Sequence, residues 1–338
     1  MTAAPTDTRA TTTEAAPAGF VTPVEVTAVQ RISPAFVRIT LGAPALADLA
    51  ALGHDTRFKL VLPGPTGRLP EPAGTQEEWY ASWMAMPDDE RAFMRTYTVR
   101  DVVGEGVSRR LVVDFVVHDE DGDHELDGDT RPGIGPACRW ALSAVPGDRA
   151  VVVVPHRHGS DWGGTEFAAG AARDLLLIGD ETAVPAIARI LADADPMLAG
   201  RAFLEVPCAA DQVPLPTHPG IEVTWVTRDD DRPGRRLVGL VRSELGLPAV
   251  DLDAPQPPVR TSMDVEVWET ARFSSAGEDL QAQLASGTGR DLAGTYAWIA
   301  GESWLVKTLR RALVSELQVD RARVAFMGYW REGVAMRS

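Results

Sequence analysis

Two hydrophobic rhythms divide the chain. Up to about residue 157, short runs of β-branched and aromatic residues recur at 23–32, 36–42, 57–63, 95–102, 110–118 and 147–155, separated by clusters of Gly, Pro and Asp. Phe36-Val37-Arg38-Ile39-Thr40-Leu41 alternates apolar with polar, as a strand with one wet face does. Val151-Val152-Val153-Val154 is continuous and predicts a strand buried on both faces. No long helical period intervenes, so the pattern predicts a closed six-stranded antiparallel β-barrel.

The rhythm then changes. Asp174-Leu175-Leu176-Leu177-Ile178-Gly179 reads as a short buried strand. Apolar residues at Val184, Ile187, Ile190 and Leu191 predict a helix, with Thr182 as its N-cap and Pro185 in its first turn. Strand patterns return at 201–206, 221–226, 295–301 and 324–330, and Val306, Leu309, Leu313 and Leu317 mark an amphipathic helix between the last two. Alternating strands and helices predict an α/β domain with a parallel sheet. Residues 64–94, with little periodicity, are expected as an insertion in the barrel. Residues 246–292, acidic and Pro-rich, are expected as an excursion, with a lid as the other reading. The predicted plan is a disordered tail at 1–18, a barrel domain at 19–157, and an α/β domain at 172–338 with its insertion at about 246–292.

Composition narrows the function. Of 338 residues, 45% are hydrophobic and no apolar run is long enough to span a bilayer, so a globular protein without a membrane span is expected. The N-terminus lacks an apolar signal core, and two cysteines make no disulfide framework; both point to the cytoplasm. Two cysteines are also too few for an iron–sulfur cluster, which takes about four thiolates. The net charge of -15 argues against nucleic acid as a partner. Only two of the 33 basic residues are lysines, Lys59 and Lys307. A compact ammonium at each site is one reading; coding bias toward Arg is the other.

The densest chemistry lies in Arg95-Thr96-Tyr97-Thr98-Val99-Arg100 and Val113-Asp114-Phe115-Val116-Val117-His118. An aromatic ring to stack on, a guanidinium for a phosphate and strand backbone for ring polar atoms together suit a flat anionic cofactor such as a flavin. Gly135-Pro136-Ala137 opens a short helix whose free N–H groups attract phosphate oxygens. Gly179-Asp180-Glu181-Thr182-Ala183, Gly301-Glu302 and Gly328-Tyr329-Trp330 end parallel strands at one edge, where ligands of open α/β sheets bind. The Gly-x-Gly-x-x-Gly fingerprint is absent. Asp119 to Glu125 misses the calcium-loop spacing and reads as a solvated acidic hairpin, and His156-Arg157-His158 is too sparse for a metal site.

Arg-x-Tyr-Thr-x-Arg, Val-Asp-Phe-Val-x-His, Gly-Pro-Ala-x-x-Trp-Ala, Gly-Asp-Glu-Thr-Ala-x-Pro-Ala-Ile and Gly-Tyr-Trp-Arg-x-Gly occur here in that order. The set resembles the siderophore-interacting protein family of FAD-dependent ferric-siderophore reductases, from about residue 20 onward. The resemblance implies a flavin-binding, ferredoxin-reductase-like barrel joined to a nicotinamide-nucleotide-binding α/β domain. It implies FAD held by Arg95, Tyr97 and Thr98, with Asp114, Phe115, Val116 and His118 along the ring and Gly135, Ala137 and Trp140 at the diphosphate. Asp180, Glu181, Thr182 and Ala183 would lie where flavin meets nucleotide, and Tyr329 and Trp330 would close the ring site. Lys59, Arg157 and Lys307 are expected to form a basic pocket for an anionic ferric siderophore, and Arg228 to meet the adenosine side of the nucleotide. The expected reaction carries hydride from NADH or NADPH to FAD and single electrons to iron. No residue is expected as a general acid or base, and ferredoxin is an alternative donor. A general flavin reductase serving a partner protein, or a non-catalytic ferric-chelate binder, are the other readings.

Overall fold

The structure, a computed structural model, describes residues 17–117, 135–160, 162–252, 268–270, 273–274 and 292–332. Seven strands form the first sheet: β1 (Gly19–Ser33), β2 (Phe36–Gly42), β3 (Arg57–Leu62), β4 (Phe93–Thr98), β5 (Asp101–Val103), β6 (Arg110–Val116) and β7 (Arg149–Pro155). Their pairing is antiparallel in the order β4-β3-β7-β1-β2-β6-β5. The predicted strand 95–102 is one bent segment that supplies both edges of this order. Val99 N–H donates to Thr56 on the β3 side, and Arg100 N–H donates to Val112 on β6. That bend closes the barrel, so six predicted strands become seven. β1 also serves two neighbours, pairing β7 through its first half and β2 through its second, with register shifts at Val26/Ala28 and Arg31/Ser33.

Alternation along the strands fills the barrel. Ile39, Leu41, Phe58, Leu60, Val113, Phe115, Val152 and Val154 meet inside it, all buried. The continuous valine run of β7 has the predicted two-sided burial: Val151 and Val153 face outward and are covered by Trp79 and Trp83. Those tryptophans lie on α1 (Gln76–Met84), inside the stretch expected as an aperiodic insertion. Thr75 caps α1 in a reciprocal box with Glu78, which starts the helix, and the i, i+4 tryptophan pair gives it a reason to dock. α2 (Pro136–Ser143) packs Ala137 and Ala141 against the barrel interior.

The second sheet holds β8 (Asp174–Gly179), β9 (Ala199–Val206), β10 (Ile221–Thr227), β11 (Trp268–Thr270), β12 (Phe273–Ser274), β13 (Thr295–Glu302) and β14 (Val324–Trp330). The order is β10-β9-β8-β13-β14-β11-β12, with the first five strands parallel and β11 and β12 added antiparallel. Thus part of the stretch read as an excursion pairs with β14 and extends the sheet. α3 (Val184–Asp193) covers one face, together with Ala35 and Phe36 of the barrel. α4 (Arg235–Glu244) and α5 (Ser303–Arg310) cover the other. The helix after residue 302 does not run regularly to Leu317; it passes into a π-helical turn at Arg311–Glu316.

Three carboxylates tie the two sheets together. Buried Asp55, just before β3, accepts hydrogen bonds from Glu166 N (3.1 Å), Phe167 N (3.0 Å) and Trp298 Nε1 of β13 (2.9 Å). Buried Asp211 accepts from Ser33 Oγ (2.7 Å) and Ala35 N (2.6 Å) at the β1–β2 turn. Asp193 of α3 accepts from His54 N (2.8 Å) and from Arg189, which also reaches Asp101 (3.1 Å).

Candidate functional site

β4, β6 and α2 build an aromatic and cationic surface at the mouth of the barrel. Tyr97 packs on Phe115, ring centroids 4.5 Å apart, and Phe115 meets Trp140 of α2 at 5.7 Å. Tyr97 and Trp140 are half-buried, whereas Phe115 is buried completely. Phe115 therefore stands behind the two outer rings and is not itself a ring-lining side chain. Burial pushes the Tyr97 phenol up, keeping it neutral. Arg95 lies two residues before Tyr97 on β4, half-buried, and donates to Met94 O (2.8 Å). Burial pulls its guanidinium below the ordinary value, a cost that a bound anion would offset.

Gly135 begins α2 without a side-chain cap, and Pro136 takes the first turn. Among the described residues, no atom lies within 4 Å of the place a Cβ would take on Gly135. Among the described residues the helix start thus offers amides without a side-chain cap beside an open space, next to a stackable ring and a desolvated guanidinium. That donor set fits a flavin nucleotide, which needs both an aromatic platform and diphosphate ligands.

Two expected ring residues have other partners. Asp114 is almost wholly buried and holds Arg38 through both oxygens (2.6 and 2.8 Å), with Arg100 at 3.5 Å. It anchors two guanidinium groups on the barrel's outer face. Val116 packs into the core of the second sheet, not toward Tyr97. His118 and the acidic hairpin at 119–125 lie outside the described residues.

The two domains meet where Trp298 of β13 donates to Asp55, just before β3. Burial first, and the Asp55 charge next, push the Tyr329 phenol up. Tyr329 also stands edge-on to Trp298 at 6.5 Å. Through Trp298 and Asp55 the last strand is thereby placed near the start of β3, whose Arg57 pairs with Thr98 of β4, the strand that carries Arg95 and Tyr97.

Behind this contact the residues at the end of β8 are buried. Asp180 follows β8 and is fully buried; burial and then the Glu181 charge push its carboxyl up. It caps the turn Glu181–Ala183 by accepting from Thr182 N (2.9 Å) and Thr182 Oγ1 (2.5 Å). Asp180 therefore caps the turn and Ala183 stands at the N-cap of α3, in place of the expected Thr182, because the turn inserts before α3 begins. Ala183 is buried against Gly179, where a Cβ would approach its Cβ to 2.3 Å. Asp180, Glu181 and Ala183 consequently support the edge from within, and their side chains are not available to a ligand.

Glu181 and Glu205, both fully buried, share one cation. Arg228 donates to both oxygens of Glu181 (2.9 Å each) and to Glu205 (3.4 Å), while Glu205 also accepts from Gly234 N (2.7 Å). Burial alone would lower the guanidinium; hydrogen bonding and the charges of Glu181 and Glu205 outweigh it and hold Arg228 above its usual value. Arg228 is occupied inside the domain, which corrects its assignment to the adenosine side of a nucleotide.

The expected basic pocket is not assembled. Lys59 is exposed on the outer face of β3, its Nζ 2.7 Å from Thr96 Oγ1. Arg157, half exposed, pairs with Asp48 at 3.0 Å. Lys307 lies on α5, on the sheet face turned away from the barrel. Lys59 alone shares the strand face of Arg57, whose charge reaches Tyr329 at the domain junction. His158 N donates to His156 Nδ1 (3.2 Å), a local turn contact.

Sequence patterns missed Asp55, Asp193 and Asp211, since nothing local distinguishes them from solvated loop acids. Glu302 gave a partial signal: it follows a strand-ending glycine and caps α5 by accepting from Trp304 N and Leu305 N.

An antiparallel barrel with a flavin-sized aromatic surface, closed against the strand ends of a parallel α/β domain, defines the ferredoxin-reductase-like class. The crystal structure of a ferredoxin NADP+ reductase from Neisseria gonorrhoeae shares this fold, with TM-score 0.51 and 11% identity over 92% of this chain and 99% of that one. Within the class, residues 25–159 match the siderophore-interacting FAD-binding domain and residues 172–333 match the siderophore-interacting protein domain; the chain belongs to the siderophore-interacting protein family. A siderophore utilization protein from T. fusca superposes with TM-score 0.62 and 28% identity, covering 94% of this chain and 95% of that one. Among curated relatives, an uncharacterized protein of Mycobacterium tuberculosis is 33% identical over 209 residues, 60% of this chain. The chain spans 64% of that relative's length. The NADPH-dependent ferric-chelate reductase of Escherichia coli is 26% identical over 305 residues, 89% of each chain. Among the described residues, no helix is long and apolar enough to cross a membrane.

Proposed function

We propose that this chain is an FAD-dependent reductase of ferric siderophores that draws its electrons from NADH or NADPH. One observation carries the reading: Tyr329 at the end of β14 stands edge-on to Trp298, which donates to Asp55 just before β3, the strand paired with β4, so a ring on Tyr97 of β4 would lie near the strand edge where nucleotides bind. The family and the relative named as a ferric-chelate reductase support it.

In this reading Tyr97 supplies the platform, with Phe115 and Trp140 fixing its tilt. Arg95 and the amides following Gly135, including that of Ala137, neutralise the diphosphate. Asp55 and Trp298 set the spacing between the domains, and Thr182 and Trp330 complete the nucleotide edge. FAD, when bound, would match a two-electron hydride donor to a one-electron ferric acceptor. Ferric iron is hard and oxygen donors hold it tightly; ferrous iron is held less well, so reduction frees it. No side chain is needed as a proton donor or acceptor. Exposed Lys59 gives an acidic protein a local cation where an anionic chelate can dock.

The test is anaerobic. FAD-loaded protein should bleach with NADH or NADPH and reoxidise when a ferric chelate is added, with ferrous iron caught by a ferrous-specific dye. A flavin that neither nucleotide nor reduced ferredoxin bleaches would sink the proposal. Lys59→Ala should raise the KM for an anionic chelate severalfold and leave the FAD spectrum unchanged; an unaltered KM removes Lys59 from the docking site.

A further inference from the structure

Asp180 joins the ends of three strands through one buried carboxylate. Its Oδ1 accepts from Thr182 N and Oγ1 on its own turn after β8. Its Oδ2 accepts from Glu302 N at the end of β13 (2.6 Å) and from Trp330 Nε1 at the end of β14 (2.8 Å). The approach is so close that Gly301 must lack a side chain: a Cβ there would stand 2.6 Å from the Asp180 carboxyl carbon, and its φ is 140°. Trp330 is held a second time through its carbonyl, which accepts from Ser303 Oγ (2.9 Å). Its indole is only half-buried, so packing alone does not select its rotamer; the N–H bond to Asp180 does.

We propose that Asp180 is a positioning residue: without touching cofactor or nucleotide, it fixes the Trp330 indole at the edge where the nicotinamide donor meets the flavin. The inference rests on the function proposed above. An indole that swings free changes how closely donor and acceptor rings approach, and misplacement by about 1 Å costs on the order of 100-fold in rate. Thr182 and Glu302 hold the carboxylate from two other elements, so its aim at Trp330 is set before any ligand arrives. The turn after β8 thus contributes two donors and the ends of β13 and β14 one each, which explains why an acid suits a position that, among the described residues, has no cation hydrogen-bonded to it.

Asp180→Asn keeps the shape but must turn an NH2 toward one set of donors. Trp330→Phe keeps a ring and removes the N–H. In FAD-loaded full-length protein labelled with 15N at indole nitrogen, the Trp330 signal is assigned by its loss in Trp330→Phe. It should shift or broaden in Asp180→Asn while the remaining indole signals stay. In stopped-flow reduction by NADH or NADPH, each single variant should lose about tenfold in limiting rate with nucleotide Kd within about twofold. The double variant should lose no more than either alone, because both act through one hydrogen bond. An unmoved Trp330 signal, additive losses in the double variant, or a loss confined to nucleotide Kd would each overturn the positioning role. A wild-type flavin that no donor bleaches would instead overturn the underlying function, while the indole spectrum still reports whether the anchor exists.

Discussion

Arg228 is the counter-charge for two carboxylates that water does not reach. Glu181 and Glu205 are completely buried, and their guanidinium partner is nearly so. Removing one member of such a group leaves uncompensated buried charge, which costs about 3–5 kcal/mol. Arg228→Gln is therefore expected to lower the unfolding free energy by that amount in urea titrations. By contrast Arg157→Ala, which breaks only a half-exposed pair with Asp48, should stay within about 1 kcal/mol of wild type. The two arginines look alike in the sequence; only burial separates them. Gly301 belongs to the same scale. Its φ of 140° and the 2.6 Å approach to Asp180 leave no room for a methyl group. Gly301→Ala should cost about 2 kcal/mol or more, read as a fall in melting temperature.

At the scale of elements, local pattern was a good guide wherever the period was long or the turn chemistry was strong. β7 and α3 follow from a continuous valine run and from a 3.6-residue apolar stripe with Pro185 in the first turn. α1 was missed within the stretch read as an aperiodic insertion: its few apolar positions hid it among prolines, although Thr75-x-x-Glu78 and the Trp79/Trp83 spacing carry its signal. The π-helical turn after α5 had no local signature, because it is held by tertiary partners. Arg242 of α4 donates to both oxygens of Glu316 (2.8 and 2.9 Å). These hydrogen bonds hold the Glu316 carboxyl below its ordinary value of 4.5. A depressed carboxyl stabilises the fold fully above its unfolded-state value, and the contribution fades as pH falls through the folded-state value. Glu316→Gln should therefore flatten the loss of stability with falling pH below about 4.5, and leave the slope near neutrality unchanged. Urea midpoints measured across that range check it.

At the scale of the molecule, the two sheets are joined by buried acids and not only by the connecting chain. Asp55 satisfies three N–H groups drawn from the connector and from β13, and Asp211 satisfies the β1–β2 turn. Each donor left unpaired in the interior costs about 1–3 kcal/mol. Scanning calorimetry of the wild type should show one cooperative transition. Asp55→Ala combined with Asp211→Ala should split it into two, barrel and α/β domain separately; a single surviving transition would mean that apolar contact alone couples them. The same coupling holds the junction: Tyr329, edge-on to the Trp298 that donates to Asp55, lies on a strand that also carries Trp330, the partner of Asp180.

The sequence by itself determined the two architectures and the position of most strands along the chain, because strand period, helix period and glycine-rich turns act over a few residues. It also exposed Arg95, Tyr97, Trp140, Tyr329 and Trp330, since aromatic and cationic residues among β-branched ones are conspicuous wherever they fold. Only the tertiary structure decided which acids and bases face a ligand and which face each other. Ser33 and Asp211 lie 178 residues apart, and Asp55 and Trp298 lie 243 apart, yet each pair meets through a hydrogen bond in the interior. Burial converts an ordinary aspartate into a structural anchor, and burial is a property of the whole packed chain. For that reason Asp114, Asp180 and Arg228, legible as candidate ligand contacts, became supports of the site.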